Sequence, residues 1–257
     1  MTFYVDLNSD LGESFGAYHI GQDDQIMDFI TSANIACGYH AGDHNVMSHA
    51  VKIATEKKVA IGAHPGLDDL IGFGRRVMQV DVRDIYNSMV YQIGALQSFA
   101  HIHGNQLQHV KPHGALFNMA STDRALADAI AHAVYDINPK LILFGLSGSE
   151  LIKAGKELGL RVAEEVFADR TYQPDGTLTS RTQADAMIHD AKEAAERVIR
   201  MVTEGKVKTV EGSDIAIQAD TICVHGDESS SLKFVKILRE QLTNQGIMIR
   251  SVGAQYE

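Results

Sequence analysis

The sequence is poor in cysteine and proline. Only Cys37 and Cys223 occur among 257 residues, too few for a disulfide scaffold or a cysteine-rich zinc site. This count fits a reducing compartment, and we expect a cytoplasmic protein. Four prolines in the whole chain leave little room for an extended linker. We therefore expect one domain over residues 1–257.

Basic residues and long apolar runs are also scarce. The chain has 23 Lys and Arg against 33 Asp and Glu, a formal net charge of -10, which disfavours nucleic acid or an anionic membrane as a partner. No apolar run approaches the roughly 20 residues of a membrane span. The start of the chain turns acidic without a basic segment, so we expect neither a signal peptide nor a transit peptide.

Short apolar runs alternate with longer amphipathic stretches along the chain. The runs, which predict strands, cover residues 3–7, 33–36, 59–63, 107–110, 141–145, 160–165 and 221–224. The predicted helices cover residues 23–31, 45–57, 81–103, 122–137, 148–158, 182–205 and 229–244. Parallel strands need crossover connections, which are usually helical, so this order predicts a parallel sheet. Residues 206–218 break the pattern and predict a small hairpin.

Polar residues follow nearly every predicted strand, which favours a closed barrel over an open sheet. In a barrel all strand carboxyl ends face one mouth, whereas an open sheet brings only two or three together. We predict an α/β fold, a seven-stranded β/α barrel, with the catalytic candidates in one cavity. These candidates are Asp10, His40, His64, Lys111 and His225. The candidates for substrate binding are Asn8, Glu13, Arg75, Arg76, His113, Asp169 and Arg170.

The first two motifs carry carboxylates and paired histidines. Residues 6–18 place Asp10 and Glu13 in a glycine-containing loop, where a capped turn would be the ordinary interpretation. Further along, His40 and His44 are four residues apart and would share a helix face, so that they could bind a metal with Asp10. Alternatively, Asp43 holds one imidazole and the histidines act as substrate contacts or general acid and base. Exposed histidines beside a helix cap are the structural alternative.

The later motifs add cations to the predicted mouth. Arg75 and Arg76 lie in a long loop after His64; they are either a solvated pair or a clamp for carboxylate or phosphate. Lys111 and His113 flank a proline that restricts where both side chains point. Because we place Lys111 at the pocket mouth, we expect Lys111→Met to remove turnover and leave folding intact.

Two nucleotide-binding signatures are absent. The sequence contains neither the GxxxxGK[ST] phosphate loop nor GxGxxG after a strand. Any nucleotide is therefore bound in another way or on another subunit.

The motifs, in their order, resemble the LamB/YcsF family over nearly the whole chain. They are DLNSDLGESFG, NIACGYHAGD, GAHPG, FGRR, VKPHGALFN, EVFADRTY and VHGD. The resemblance implies a β/α barrel similar to the glycoside hydrolase/deacetylase group. It also implies an ATP-dependent hydrolase that converts 5-oxoproline to L-glutamate, in which this chain is the A component of a multi-subunit 5-oxoprolinase with subunits B and C.

The implied chemistry agrees with the residues. A lactam is a resonance-stabilised amide, and Mg-ATP would activate its carbonyl oxygen by phosphorylation. An arginine would suit the substrate carboxylate, Lys111 the developing phosphate charge, and Asp10 or a histidine the attacking water.

Two alternatives stay open. One is an ATP-independent, deacetylase-like hydrolase of an amide or carbohydrate, with a metal held by Asp10, His40 and His44. The other is a non-catalytic subunit that binds a lactam or a sugar. We favour the ATP route, because phosphorylation already supplies the activation that a metal would provide. The sequence leaves a homo-oligomer open.

Overall fold

Seven parallel strands of the protein close into a barrel. The computed structural model describes residues 2–224 and 231–255. Its strands are β1 (Tyr4–Leu11), β2 (Ser32–Ala36), β3 (Ala60–His64), β4 (His109–Val110), β5 (Ile142–Leu146), β6 (Arg161–Phe167), β7 (Lys206–Lys208), β8 (Asp214–Ala216), β9 (Thr221–Val224) and β10 (Met248–Ile249). The barrel order is β1-β2-β3-β4-β5-β6-β9, and β9 pairs back with β1. Every neighbouring pair in it is parallel. The predicted seven-stranded β/α barrel is confirmed.

Helices connect the strands and cover the outside of the barrel. They are α1 (Asp23–Ile26), α2 (His44–Glu56), α3 (Val82–Ile102), α4 (Gly114–Thr122), α5 (Arg124–Ile137), α6 (Glu150–Leu158), α7 (Ala191–Glu204) and α8 (Ser231–Asn244). Several begin at an aspartate whose carboxylate accepts backbone N–H bonds, as Asp43, Asp123 and Asp190 do. Within the described ranges, no helix combines the length and apolar character that crossing a membrane would require.

The structure differs from the sequence prediction in the length of β1. The apolar run predicts a strand that ends at residue 7, whereas β1 continues to Leu11. Polar Asn8 and Asp10 alternate with Leu7 and Leu11 along it. The leucines belong to the main apolar core, while Asn8 and Asp10 bond to residues of other barrel strands. The barrel interior is therefore polar along β1.

Other predicted boundaries shift as well. The segment predicted as one helix over residues 122–137 is preceded by a separate helix, α4, and Asp123 ends one and caps the next. The predicted helix over residues 182–205 begins only at Ala191, since Asp190 supplies the cap. β7 and β8 form the predicted hairpin, with antiparallel pairing. The short strand β10, which pairs with the start of β1, is an addition.

Among the residues that the structure describes, two apolar clusters hold the strands in place. The larger one joins outward-facing strand residues to the covering helices. The smaller one consists of Ile142, Phe144, Ala163 and Val252. Phe144 stacks on the buried ring of His109, with 4.2 Å between ring centroids. Inside the barrel, apolar side chains of β5 and β6 therefore pack next to polar side chains of other strands.

A substitution at Gly62 tests how tightly the barrel interior is packed. A Cβ atom at Gly62 would collide with the His109 ring, whereas one at Gly94 in α3 would meet nothing within 4 Å. We expect Gly62→Ala to lower the free energy of unfolding by about 1–3 kcal/mol, as overpacking does. The matched control Gly94→Ala should raise it by up to about 1 kcal/mol, because alanine favours a helix interior. Urea unfolding measures both, and equal stability of the two variants would contradict the packing described.

Candidate functional site

A cavity of about 500 Å³ opens at the carboxyl ends of the strands. Its lining includes seven of the predicted site residues: Asp10, Glu13, His64, Arg75, Lys111, His113 and Arg170. Asn8 and His40 are fully buried next to this set and do not line the cavity. The predicted catalytic residue His225 lies outside the described residues.

Lys111 lies inside the barrel and not at its mouth. Its ammonium is 2.8 Å from Asp10 Oδ1 and 2.9 Å from Glu165 Oε1, and the side chain is 2% exposed. It also lies 3.1 Å from the Sγ atom of Cys223. Burial disfavours the ammonium, but the two carboxylates outweigh this and hold the pKa of Lys111 well above its usual range. Lys111 is therefore a permanent cation that joins β1 and β6.

Glu165 is the second carboxylate at this centre. Burial raises its pKa, and Lys111 opposes that rise. Asn8 donates from Nδ2 to Glu165 Oε1 at 2.9 Å and to Thr221 Oγ1 at 2.6 Å. Thr221 in turn donates to buried Asp6. A continuous polar network thus runs through the barrel interior beneath the cavity.

Asn34 extends the same network to Asp10. Its Nδ2 donates to Asn8 Oδ1 at 2.7 Å and to Asp10 Oδ1 at 2.9 Å, while its Oδ1 accepts from His109 Nε2. Burial lowers the pKa of His109 to about 3, with a further contribution from Lys111. His109 is therefore neutral and structural. Together Asn34 and Lys111 fix one oxygen of Asp10 and leave the other facing the histidines.

Three histidines and Glu13 meet on the other side of Asp10. His64 Nε2 lies 3.3 Å from Asp10 Oδ2 and 2.9 Å from His113 Nδ1. The rings of His40 and His113 stack with 3.7 Å between centroids. Burial, together with the neighbouring histidines, lowers the pKa of His40 and His113 well below the usual range, so both rings are neutral at physiological pH. This Glu13–His40–His64–His113 cluster could hold a metal ion.

The structure corrects the predicted metal set of Asp10, His40 and His44. His44 is the first residue of α2 and is exposed, whereas His40 is fully buried. The two are four residues apart, but His40 precedes the helix, so the expected shared face does not exist. The Asp43 carboxylate accepts from the amides of Asn45 and Val46 and holds neither imidazole.

The predicted arginine pair divides into two environments. Arg75 lines the cavity and lies over the Phe73 ring, with 4.8 Å from Cζ to the centroid. Arg76 instead forms an ion pair with Asp69 and is not among the lining residues. Arg170 is buried and lines the cavity, and burial lowers its pKa to about 10. Asp169 is buried beside it but does not line the cavity.

Several residues of the centre escape the sequence prediction. Asn34 and His109 lie within apolar strands. Glu165 is the first residue of the EVFADRTY motif but is not among the predicted site residues. A polar residue inside an otherwise apolar parallel strand is the signal that could have found them, since both faces of such strands are buried. Arg181, from the loop after β6, also lines the cavity.

A closed parallel barrel with ionisable groups around one cavity at its strand ends is the arrangement that β/α barrels use for small molecules and catalysis. The fold and the cavity define the chain as a β/α-barrel protein of this class. The chain belongs to the LamB/YcsF family, which matches residues 5–257. The resemblance in the sequence motifs is therefore confirmed.

Relatives agree with this assignment over nearly their full length. The chain is 65% identical to the 5-oxoprolinase A subunit of Oceanobacillus iheyensis, covering 97% of both chains. The crystal structure of the lactam utilization protein from Thermus thermophilus has a TM-score of 0.91 and 43% identity, covering 96% of this chain and 99% of that one. The T48 deacetylase has a TM-score of 0.50 at 14% identity, covering 99% of this chain and 91% of that one, and shares the fold alone.

The burial of Lys111 reverses the expected effect of Lys111→Met on folding. Without the ammonium, Asp10 and Glu165 are left without their cation, and we expect stability to fall by about 3–5 kcal/mol. The loss should grow as pH rises from 5 to 8. Lys111 opposes the rise in the pKa of Glu165, so its removal lets that pKa rise further. The folded variant must then either hold a proton that the unfolded chain releases above about pH 4.3 or bury an unpaired charge, and both costs grow with pH.

Urea unfolding at both pH values measures this effect. The control is the double variant Lys111→Met/Glu165→Gln, which should recover part of the loss and most of its pH dependence, because the buried acid is gone. A single variant as stable as the parent protein at pH 8 would restore the expectation drawn from the sequence.

Proposed function

We propose that the chain is the A component of an ATP-dependent 5-oxoprolinase, which hydrolyses 5-oxoproline to L-glutamate together with subunits B and C. The observation that carries this proposal is the cavity at the strand ends, where Asp10, His64 and Lys111 lie near arginines. The names of the relatives point to the same reaction.

The arginines match the charge of the substrate. 5-Oxoproline carries one carboxylate beside its lactam ring, and a guanidinium binds a carboxylate through two parallel hydrogen bonds. Arg75, Arg170 and Arg181 line the cavity. Arg170 keeps its charge at neutral pH, since its pKa of about 10 lies well above neutrality. We infer that these side chains bind the substrate carboxylate and the phosphoryl group of an activated lactam.

Asp10 is suited to activate water. Its Oδ1 is held by Lys111 Nζ and Asn34 Nδ2, so the carboxylate has a fixed orientation. Its Oδ2 faces the histidines, and the residue lines the cavity. We infer that Asp10 takes a proton from the water that attacks the lactam carbonyl carbon. Lys111 would stabilise negative charge that develops nearby.

ATP supplies what these residues cannot. Attack of water on an amide is slow because resonance stabilises the carbonyl group. Transfer of the terminal phosphoryl group of ATP to the carbonyl oxygen releases ADP and removes that stabilisation. Addition of water then breaks the C–N bond and leaves an acyl phosphate, from which a second water releases phosphate and glutamate. The chain has no phosphate loop in its sequence, so the nucleotide is bound in another way or on a partner subunit. We therefore expect turnover only from the assembled enzyme.

Reconstitution tests the proposal. The purified chain is incubated with 5-oxoproline and Mg-ATP, alone and with subunits B and C, and glutamate and ADP are measured. We expect glutamate only with all three subunits and ATP. Glutamate formed without ATP would favour the ATP-independent hydrolase. No glutamate from the complete set, with 5-oxoproline binding retained, would favour a lactam-binding subunit.

The two adjacent arginines provide a matched pair of variants. Arg75→Gln should lower kcat/KM for 5-oxoproline about 10- to 100-fold, because a hydrogen bond to a charged group contributes about 1.5–3 kcal/mol. Arg76→Gln removes an equal charge one residue away, from a side chain that pairs with Asp69. It should leave kcat/KM nearly unchanged. Equal losses in the two variants would show that general charge, and not cavity contact, matters.

A further inference from the structure

The histidine cluster next to Asp10 has the composition of a metal site. Glu13, His40, His64 and His113 each offer one ligand atom, and the four atoms lie within 4.8 Å of one another. All four residues are buried. Glu13, His64 and His113 line the cavity, whereas His40 does not. An ion among them would therefore be reached from the cavity.

Backbone carbonyl groups determine which ring nitrogens carry hydrogen. His64 Nδ1 lies 2.7 Å from Lys111 O, and His113 Nε2 lies 2.9 Å from Phe73 O. Carbonyl oxygens only accept, so these nitrogens donate, and in a neutral ring the other nitrogen carries a lone pair. Those other nitrogens, His64 Nε2 and His113 Nδ1, face each other at 2.9 Å. Two lone pairs at this distance require a positive charge close by.

The positive charge between His64 and His113 could be a proton or a metal ion, and the surroundings of His40 favour the metal ion. It is fully buried, and within the described residues neither of its ring nitrogens has a hydrogen bond. Its Nε2 lies 3.5 Å from Glu13 Oε1. A proton between His64 and His113 would leave His40 unsatisfied, at a cost in free energy. A cation would accept a lone pair from all three rings.

The chain also leaves space for the His40 ring. A Cβ atom at Gly66 would lie 2.5 Å from His40 Nδ1, and one at Gly74 would lie 2.6 Å from His40 Cβ. Gly74 has a positive φ of 62°, which favours glycine. The backbone that follows β3 thus approaches the buried imidazole at two places as closely as glycine allows.

We propose a site for one divalent transition-metal ion, such as Zn²⁺, whose ligands are Glu13, His40, His64 and His113. The separations of 3.5 and 3.6 Å from Glu13 Oε1 to His40 Nε2 and His113 Nδ1 are close to the roughly 3.3 Å edge of a tetrahedron with bonds of about 2.0–2.1 Å. Imidazole ligands favour zinc, iron, copper or nickel over magnesium. The role of the ion rests on the proposed function: by expanding to five ligands, it would bind an oxygen of the substrate in the cavity.

Metal binding by the purified chain tests this site without any turnover assay. The chelator-stripped protein is titrated with Zn²⁺ and with Co²⁺, whose visible spectrum reports the coordination geometry. We expect one ion per chain, with Co²⁺ bands of nitrogen and oxygen ligands. His40→Ala and Glu13→Gln should weaken binding by more than about 100-fold, since even residues that only orient ligands change affinity about 10- to 100-fold.

His44→Ala is the matched control, since it removes a histidine four residues from His40 that lies outside the cluster. It should bind the ion like the parent chain. Glu13→Gln keeps the size of the side chain, so that weak binding with unchanged thermal unfolding of the stripped protein excludes misfolding. The absence of stoichiometric binding, or an equal loss in His44→Ala, would overturn the site.

The result is separable from the proposed function. Glutamate formation by a complete enzyme whose chain binds no ion would overturn only the metal site. An ion bound by the four residues, without glutamate formation, would overturn only the proposed reaction.

Discussion

The Lys111 ammonium, enclosed between two carboxylates in the middle of the barrel, is the interaction on which the rest of the site depends. Removing such a charge from water is costly unless opposite charges and hydrogen bonds surround it. Asp10 and Glu165 supply the charges, and Asn8 bonds to Glu165 as well. These groups come from different parts of the barrel, so they meet only when the barrel is closed. Asp10 therefore takes up its orientation only when the barrel closes.

Much of the fold can be predicted from the order of apolar runs and helical stretches. Each of the seven predicted strands overlaps a barrel strand, because a parallel strand buried on both faces leaves a short apolar run in the sequence. The length of β1 is harder to predict. Asn8 and Asp10 resemble the start of a loop, yet they belong to the strand, because the barrel interior stabilises their polar groups. Those partners lie on other strands of the barrel, so they are known only from the tertiary structure.

Site residues that follow the end of a strand can be predicted from the sequence. Site residues that lie within a strand are much harder to predict. His64 and His113 are found by position alone. Glu165 gains its importance from Lys111, which is 54 residues away in sequence. Spacing along the chain also misleads at His44, since the i, i+4 relation has meaning only when both residues are in one helix. Side-chain direction and tertiary contact decide these cases.

The closure of β9 on β1 has a consequence for synthesis of the chain. Thr221 completes the hydrogen bonds of Asp6 across 215 residues, which a ribosome needs about 10–40 s to add at about 5–20 residues per second. During that interval Ser32 is already available to Asp6, but one edge of β1 has no neighbour. An open strand edge invites pairing with other chains. The nascent protein thus passes through a period in which this edge of β1 is open to pairing with other chains.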